Sequence, residues 1–191
     1  MPAYFSLIFS IKKKKNNKHL FADFVSLLKE NGFTFKGGSF KEFADDTLED
    51  IVKVNTAKLH DNFELGPDDH YSLGYRQICW NWRDYSEVRL FIYNCREDDF
   101  FTVHIIVPED EVSEYADWKA LALEAWKKKY IAAVQASSEG SEDMSPDDIK
   151  GGEMPTAEPF AIVPASYLTC ARKDGFSYTN IRRKGVFIER I

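Results

Sequence analysis

Cysteine is scarce in this chain of 191 residues, and no two cysteines form a C-x-x-C pair. The three thiols belong to Cys79, Cys95 and Cys170. An odd number of widely spaced cysteines is not typical of a disulfide framework. The sequence therefore predicts free thiols in a reducing compartment, and we expect a cytoplasmic protein.

Long hydrophobic runs are also missing, because no apolar stretch approaches the ~18 residues that a membrane-spanning helix needs. Residues 3–11 are apolar, but the lysines at 12–15 follow this stretch instead of preceding it. A secretory signal has its positive charge first and a small-residue cleavage site afterwards. We therefore expect neither a signal peptide nor a membrane partner.

Catalytic signatures are absent as well. The chain contains no G-x-x-x-x-G-K-[ST], no G-x-G-x-x-G, no G-x-S-x-G and no H-E-x-x-H. We therefore predict no catalytic residue and no cofactor. The weak candidates for metal ligands are His60, Asp68, Asp69 and His70. They lack the spacing of known metal motifs, and an exposed polar loop explains them better, so we predict no metal site.

Positive charge is in short supply, since the net charge is −6, and this argues against a nucleic-acid partner. Residues 136–159 hold seven acids and one base, whereas residues 160–191 carry six bases and two acids. The acidic stretch is rich in Ser, Gly and Pro and has few large apolar residues. We therefore predict a mobile acidic loop at 136–159 within a single domain that covers residues 1–191.

Aromatic residues, by contrast, are abundant at 15%. The richest stretch is predicted to form three consecutive strands, at 71–82, 87–95 and 100–107. Alternation places Val88, Leu90 and Ile92 on one face of the middle strand, and Arg89, Phe91 and Tyr93 on the other. The second face is too apolar for a fully solvated surface, so it is either covered by another layer or used for binding.

The remaining pattern indicates an α+β fold with a mainly antiparallel sheet of five to seven strands and about three helices, packed mostly on one face. A parallel strand pair stays open as an alternative, because the chain begins as strand, helix, strand. Apolar spacing predicts helices near residues 20–30 and 47–61, and Thr47 with Asp50 fits an N-terminal cap. A third helix is predicted from about Glu114 to about Gln135.

The candidate binding residues are the aromatic side chains of the three-strand block with the polar groups between them. Tyr and Trp are typical of both protein cores and interface hot spots, so a core position is the main alternative. The candidates for partner binding are Tyr75, Trp80, Trp82, Tyr85, Arg89, Phe91, Tyr93 and His104.

These features predict a non-enzymatic protein-binding module with a protein partner, and the acidic residues suggest a basic one. An acidic, cysteine-poor, single-domain α+β chain resembles in class the small immunity proteins that neutralise bacterial toxins. That resemblance implies an immunity-type inhibitor of a toxin or enzyme, and no residue is carried over from it. One alternative is an enzyme or small-ligand domain with a pocket near His104, Tyr93 and Arg89. Another is a homo-oligomeric structural subunit.

Overall fold

A computed structural model of the chain describes residues 3–13, 18–38, 44–64, 74–139, 141, 143–169 and 172–191. The chain divides into two compact units. The central unit is Lys12–Val107, and the terminal unit combines Met1–Ile11 with Pro108–Ile191. The single domain expected from the length of the chain stays a prediction.

The described residues form nine strands and four helices. In chain order they are β1 (Tyr4–Lys12), α1 (Leu20–Glu30), β2 (Thr34–Gly38), α2 (Leu48–His60), β3 (Ile78–Asn81), β4 (Val88–Asn94), β5 (Phe100–Pro108), α3 (Ala116–Trp126), β6 (Ile131–Ser137), α4 (Pro146–Gly151), β7 (Phe160–Pro164), β8 (Phe176–Ile181) and β9 (Gly185–Arg190). The α+β class is confirmed. The prediction of five to seven strands was too low, and one of the observed strands, β6, lies in a stretch that the sequence pattern assigns to a helix.

The central unit has strands in the order β2-β3-β4-β5, and each described pair is antiparallel. The apolar stripe of α1 is buried as its spacing predicts. Thr47 caps α2, because its side-chain oxygen accepts a hydrogen bond from the backbone N–H of Asp50. Leu20 of α1 and Leu59 of α2 line one cavity together with Phe101 of β5, so both helices lie over the same face of these strands.

The terminal unit has strands in the order β1-β6-β7-β9-β8, again with antiparallel pairs. Alternation of side chains along residues 3–11 predicts a strand with one buried face. That prediction is wrong for residues 7–11, which are buried on both faces. Helix α3 buries Trp118, whose ring meets Phe5 of β1 at a centroid distance of 5.0 Å. A core of small and branched side chains, which includes Ala133, Val163 and Ile188, joins β6, β7 and β9.

The third helix ends nine residues earlier than the sequence suggests. Helix α3 stops at Trp126, and residues 131–137 form β6 between β1 and β7. The side chain of Arg183 caps this end, because its guanidinium donates to the carbonyl oxygens of Trp126 and Lys128. Spacing within 114–135 cannot reveal a contact from a residue 57 positions beyond the helix end.

The acidic stretch 136–159 holds regular structure in its described residues. Helix α4 is capped by Ser145 and buries Ile149 completely. The side chain of Gln135, itself fully buried, accepts from the backbone N–H groups of Met144 and Thr156 and donates to the carbonyl of Met144. These three bonds hold both sides of α4 to the end of β6. The mobility expected for this stretch stays a prediction.

The sequence pattern predicts four C-terminal strands, at 160–163, 167–172, 176–181 and 186–191, and three of them correspond to β7, β8 and β9. Residues 165–167 form a 3-10 turn, so the strand expected over 167–172 does not begin there, and residues 170 and 171 lie outside the described part of the chain. The sequence pattern predicts one hairpin at Asp174-Gly175 and, from a weaker signal, a second at Lys184-Gly185. The observed hairpin joins β8 to β9 through residues 182–184, beside the weaker signal. No helix in the described ranges is long and apolar enough to cross a membrane.

Candidate protein-binding surface

Strands β4 and β5 present a second face, which lies opposite the face covered by α1 and α2. Register pairs Arg89 with Ile106, Phe91 with His104, and Tyr93 with Thr102, and Cys79 of β3 lies opposite Arg89. Every one of these side chains is half-buried. We call this set the Arg89 face: Cys79, Arg89, Phe91, Tyr93, Thr102, His104 and Ile106.

One end of the Arg89 face is organised by the guanidinium of Arg89. Its Nε lies 2.7 Å from Oε1 of Glu87, and its Cζ lies 5.4 Å from the centre of the Phe91 ring. The ion pair and the ring contact hold the long side chain flat along the strand. The result is a planar cationic group beside an aromatic ring, at a half-exposed position.

The other end of the face is organised by His104. The rings of Tyr93 and His104 meet edge to face at a centroid distance of 4.5 Å. Thr102 Oγ1 and His104 Nε2 share a hydrogen bond of 3.1 Å. These contacts fix the imidazole against the sheet, so His104 presents an oriented edge to any molecule that binds there.

Cys79 belongs to this face but does not have the character of a reactive thiol. Burial raises the pKa of its thiol, which therefore stays protonated near neutral pH. A thiolate is the nucleophilic form, so this environment does not activate Cys79.

The other predicted site residues lie elsewhere. Trp80 and Trp82 are 1% and 3% exposed, and the ring of Phe33 contacts both of them. Tyr75 is buried as well, and its hydroxyl donates to the carbonyl of Phe63 over 2.6 Å. Tyr85 is half-buried and stacks on Trp82. The structure therefore brings together Arg89, Phe91, Tyr93 and His104, and it places the tryptophans in the core.

Of the weak metal candidates, only His60 lies in the described part of the chain. His60 is exposed, and its Nδ1 lies 3.1 Å from the carboxylate of Asp61. Asp68, Asp69 and His70 fall outside the described residues. Where side chains are described, no group of three or more His, Cys, Asp or Glu residues is placed to hold a metal ion.

Exposed carboxylates lie at both ends of the strands that carry the Arg89 face. Asp84 belongs to the connection between β3 and β4, and Glu97, Asp98 and Asp99 belong to the turn between β4 and β5. A carboxylate at each end attracts basic groups toward the apolar side chains between them.

One cavity, of about 610 Å³, borders the Arg89 face, because Cys79 and Glu87 line it together with Lys36. Two other cavities have no residue of this face in their lining. One of about 490 Å³ in the central unit has an apolar wall that includes Phe21 and Phe101, and a polar rim that includes Lys13 and Arg96. Burial lowers the pKa of Lys13, whose ammonium donates to the carbonyl of Cys95 over 2.6 Å. A second cavity, in the terminal unit, lies beside Leu123 and Ile181. No pattern in the sequence indicated either of them.

A scan against models of protein families and a search of curated proteins find no match. The chemistry of the surface is therefore the basis for assigning a function.

Proposed function

We propose that the chain is a non-enzymatic protein-binding module whose partner docks on the Arg89 face. The observation that supports this most is the half-buried row of Arg89, Phe91 and Tyr93, on the face opposite the one that α1 and α2 cover. Arg and Tyr are enriched in interface hot spots, and the ring of Phe91 adds apolar area beside them.

The Arg89 face also suits binding because its side chains project from a strand whose other side chains are buried in the core. Phe91 and Tyr93 alternate with Leu90 and Ile92, which are buried in the core. A side chain on a core strand loses little freedom when a partner covers it, so more of the contact energy appears as affinity.

The partner that fits is a protein with apolar side chains at the centre of its surface and basic groups around them. The basic groups match the carboxylates at both ends of β4, and the apolar groups match Phe91 and Ile106. An immunity-type role, in which this chain neutralises a basic toxin or enzyme, fits that surface. We also propose a cytoplasmic location, because Cys79 and Cys95 are both free thiols.

The test is a pull-down with the tagged chain from lysate of the source cells, at low and high salt, with mass spectrometry of the retained proteins. We expect one stoichiometric partner, and we expect high salt to weaken its binding because exposed charges are screened. Phe91→Glu places a charge at the centre of the face and should weaken binding at least about 30-fold, the size of a hot-spot loss of ~2 kcal/mol.

The matched control is Ala57→Glu, which adds the same charge at an exposed position of α2 in the same unit. It should leave the affinity unchanged. Retention of the partner by Phe91→Glu, or equal loss with both variants, would contradict a site on the Arg89 face. If the retained protein is a second copy of this chain, light scattering will show a mass that rises with concentration, and the structural-subunit alternative replaces the inhibitor.

The second candidate function is small-ligand binding in the cavity of about 490 Å³ beside Lys13. Its wall is apolar and its rim carries both signs of charge, with Lys13, Lys18 and Arg96 beside Glu97, Asp98 and Asp99. These features suit an amphipathic molecule with a zwitterionic group. This candidate predicts that such molecules raise the melting temperature of the chain, and that Arg96→Gln removes the effect.

A further inference from the structure

The outer edge of β8, in the terminal unit, is the strongest unassigned binding feature of the molecule. Strand β8 pairs with β9 along all six of its residues and is the last strand in the order of its unit. Within the described ranges no strand pairs with its other side. We propose that this edge binds an extended, acidic segment of another protein as an added strand.

The backbone of β8 supplies the template for such binding. In an antiparallel pair, alternate residues direct their N–H and C=O groups away from the neighbouring strand. A row of such groups on an edge strand pairs readily with an extended peptide. Six residues give a row long enough for a stable set of main-chain hydrogen bonds.

The side chains of β8 do not protect the edge. Natural edge strands usually carry a charge, a proline or a bulge that prevents pairing with other chains. Residues 176–181 read F-S-Y-T-N-I, without a charged residue or a proline, and their register with β9 is unbroken. Thr179 and Asn180 are exposed.

Charge defines the kind of segment that fits. Arg172 and Lys173 precede β8, and Arg182, Arg183 and Lys184 follow it, against the single carboxylate of Asp174. All six are exposed. An incoming strand with acidic residues at both ends meets a base at each end of β8, whereas a basic strand is repelled.

A groove at the end of β8 supplies a pocket for one apolar side chain of the added strand. It measures about 650 Å³ and is lined by Leu123, Trp126, Lys127, Asn180, Ile181, Arg182 and Arg183. Leu123 is 39% exposed, which is unusual for a large apolar residue among those that the structure describes. The groove and the edge share Asn180 and Ile181, so one segment reaches both.

The hairpin that ends β8 is rigid, so little freedom is lost on binding. Trp126 Nε1 donates to the carbonyl of Arg182 over 2.9 Å, and the guanidinium carbon of Arg183 lies 4.7 Å from the centre of the Trp126 ring. Preorganisation of this kind raises affinity by lowering the entropic cost of association.

The proposal is tested by fluorescence anisotropy with the full chain and a labelled peptide. The probe has a Val-Thr core with one leucine, and a pair of glutamates at each end. We expect saturable binding. Methylation of alternate backbone nitrogens of the peptide should abolish it, because this removes donors and blocks close approach to the edge. Replacing the glutamates by lysines should weaken it at least about tenfold.

Two variants place the site. Leu123→Ser removes the apolar wall of the groove, and the double variant Arg182→Gln with Lys184→Gln removes charge beside it; each should weaken binding about tenfold or more. Lys53→Gln, which removes an exposed charge from α2 in the central unit, is the matched control and should bind like the natural chain. Circular dichroism checks that each variant is folded.

Several outcomes would overturn the proposal. They are failure of the probe to saturate the natural chain, equal affinity of the methylated peptide, and equal affinity of the lysine peptide. A dimer that forms with rising concentration and that Leu123→Ser abolishes would assign the edge to a second copy instead. The Arg89 face belongs to the central unit, so its own test is independent of all these results.

Discussion

At the scale of single residues, Gly185 shows how tightly the C-terminal hairpin is packed. A Cβ at this position would lie 2.5 Å from Nε1 of Trp126, whose ring is fixed by the carbonyl of Arg182. Gly185→Ala therefore forces the indole or the strand to move. We expect a loss of ~1–3 kcal/mol in the free energy of unfolding, measured by urea denaturation.

Gly151 is the matched control for this substitution. A Cβ there meets no atom within 4 Å. Gly151→Ala should change the free energy of unfolding by less than ~0.5 kcal/mol. Equal effects of the two alanines would show that Trp126 has room to move, which contradicts the packing described here.

Tyr75 makes the free energy of unfolding of the central unit depend on pH in the alkaline range. Burial raises the pKa of its phenol above the ordinary value of 10.0, because the charged form would lose its hydration. Above pH 10 the unfolded chain releases this proton while the folded chain keeps it. The stabilisation from Tyr75 is therefore complete below pH 10 and decreases as the pH rises through that value.

The measurement is the urea midpoint on both sides of pH 10, for the natural chain and for Tyr75→Phe. The variant loses the hydrogen bond to Phe63 but has no group to titrate, so its stability should fall less steeply with pH. Parallel curves for the two proteins would exclude Tyr75 as a source of the dependence.

At the scale of elements, the start of α2 depends on Thr47. Its hydroxyl oxygen accepts from the N–H of Asp50 over 3.2 Å, which satisfies one of the helix's unpaired donors. Thr47→Ala should lower the free energy of unfolding by ~1 kcal/mol. Thr47→Ser keeps the oxygen and should retain most of the stability in the same urea titration. An alanine variant as stable as the serine variant would contradict the cap.

The elements that sequence predicts well are those with a local cause. The buried apolar residues of α1 recur every three or four positions, and the capping residue of α2, Thr47, bonds to a residue three positions later. Both patterns can be recognised without knowledge of distant contacts. The end of α3 is different, because Arg183 reaches it from the far end of the chain. The sequence pattern also fails to predict α4, because the residues on both sides of this helix are held by hydrogen bonds to the buried side chain of Gln135.

The Arg89 face is predicted in part for the same reason. Alternation along β4 and β5 separates Arg89, Phe91 and Tyr93 from the core residues, and the register of the strands confirms that separation. It does not reveal that Trp80 and Trp82 lie in the core, because β3 is short and the contact of Phe33 with both rings joins residues that are far apart in sequence.

At the scale of the whole molecule, the two units differ in how they use the chain. The central unit is one continuous stretch, Lys12–Val107. The terminal unit needs both ends, since β1 pairs with β6 in a register that joins Ser6 to Ser137. The terminal unit also requires residues 185–190, because β9 lies between β7 and β8 and pairs with both.

This arrangement has a consequence for synthesis on the ribosome. The central unit is complete as a sequence once Val107 has emerged, whereas the terminal unit lacks β9 until Arg190 has emerged. Domains generally fold as they emerge. We expect chains stalled well beyond Val107 to protect the central unit from protease while residues 108 onward are still cleaved. Protection that appears in both units only after release would contradict this order. Strand β1 therefore emerges early, but the unit to which it belongs is complete only after β9 has emerged.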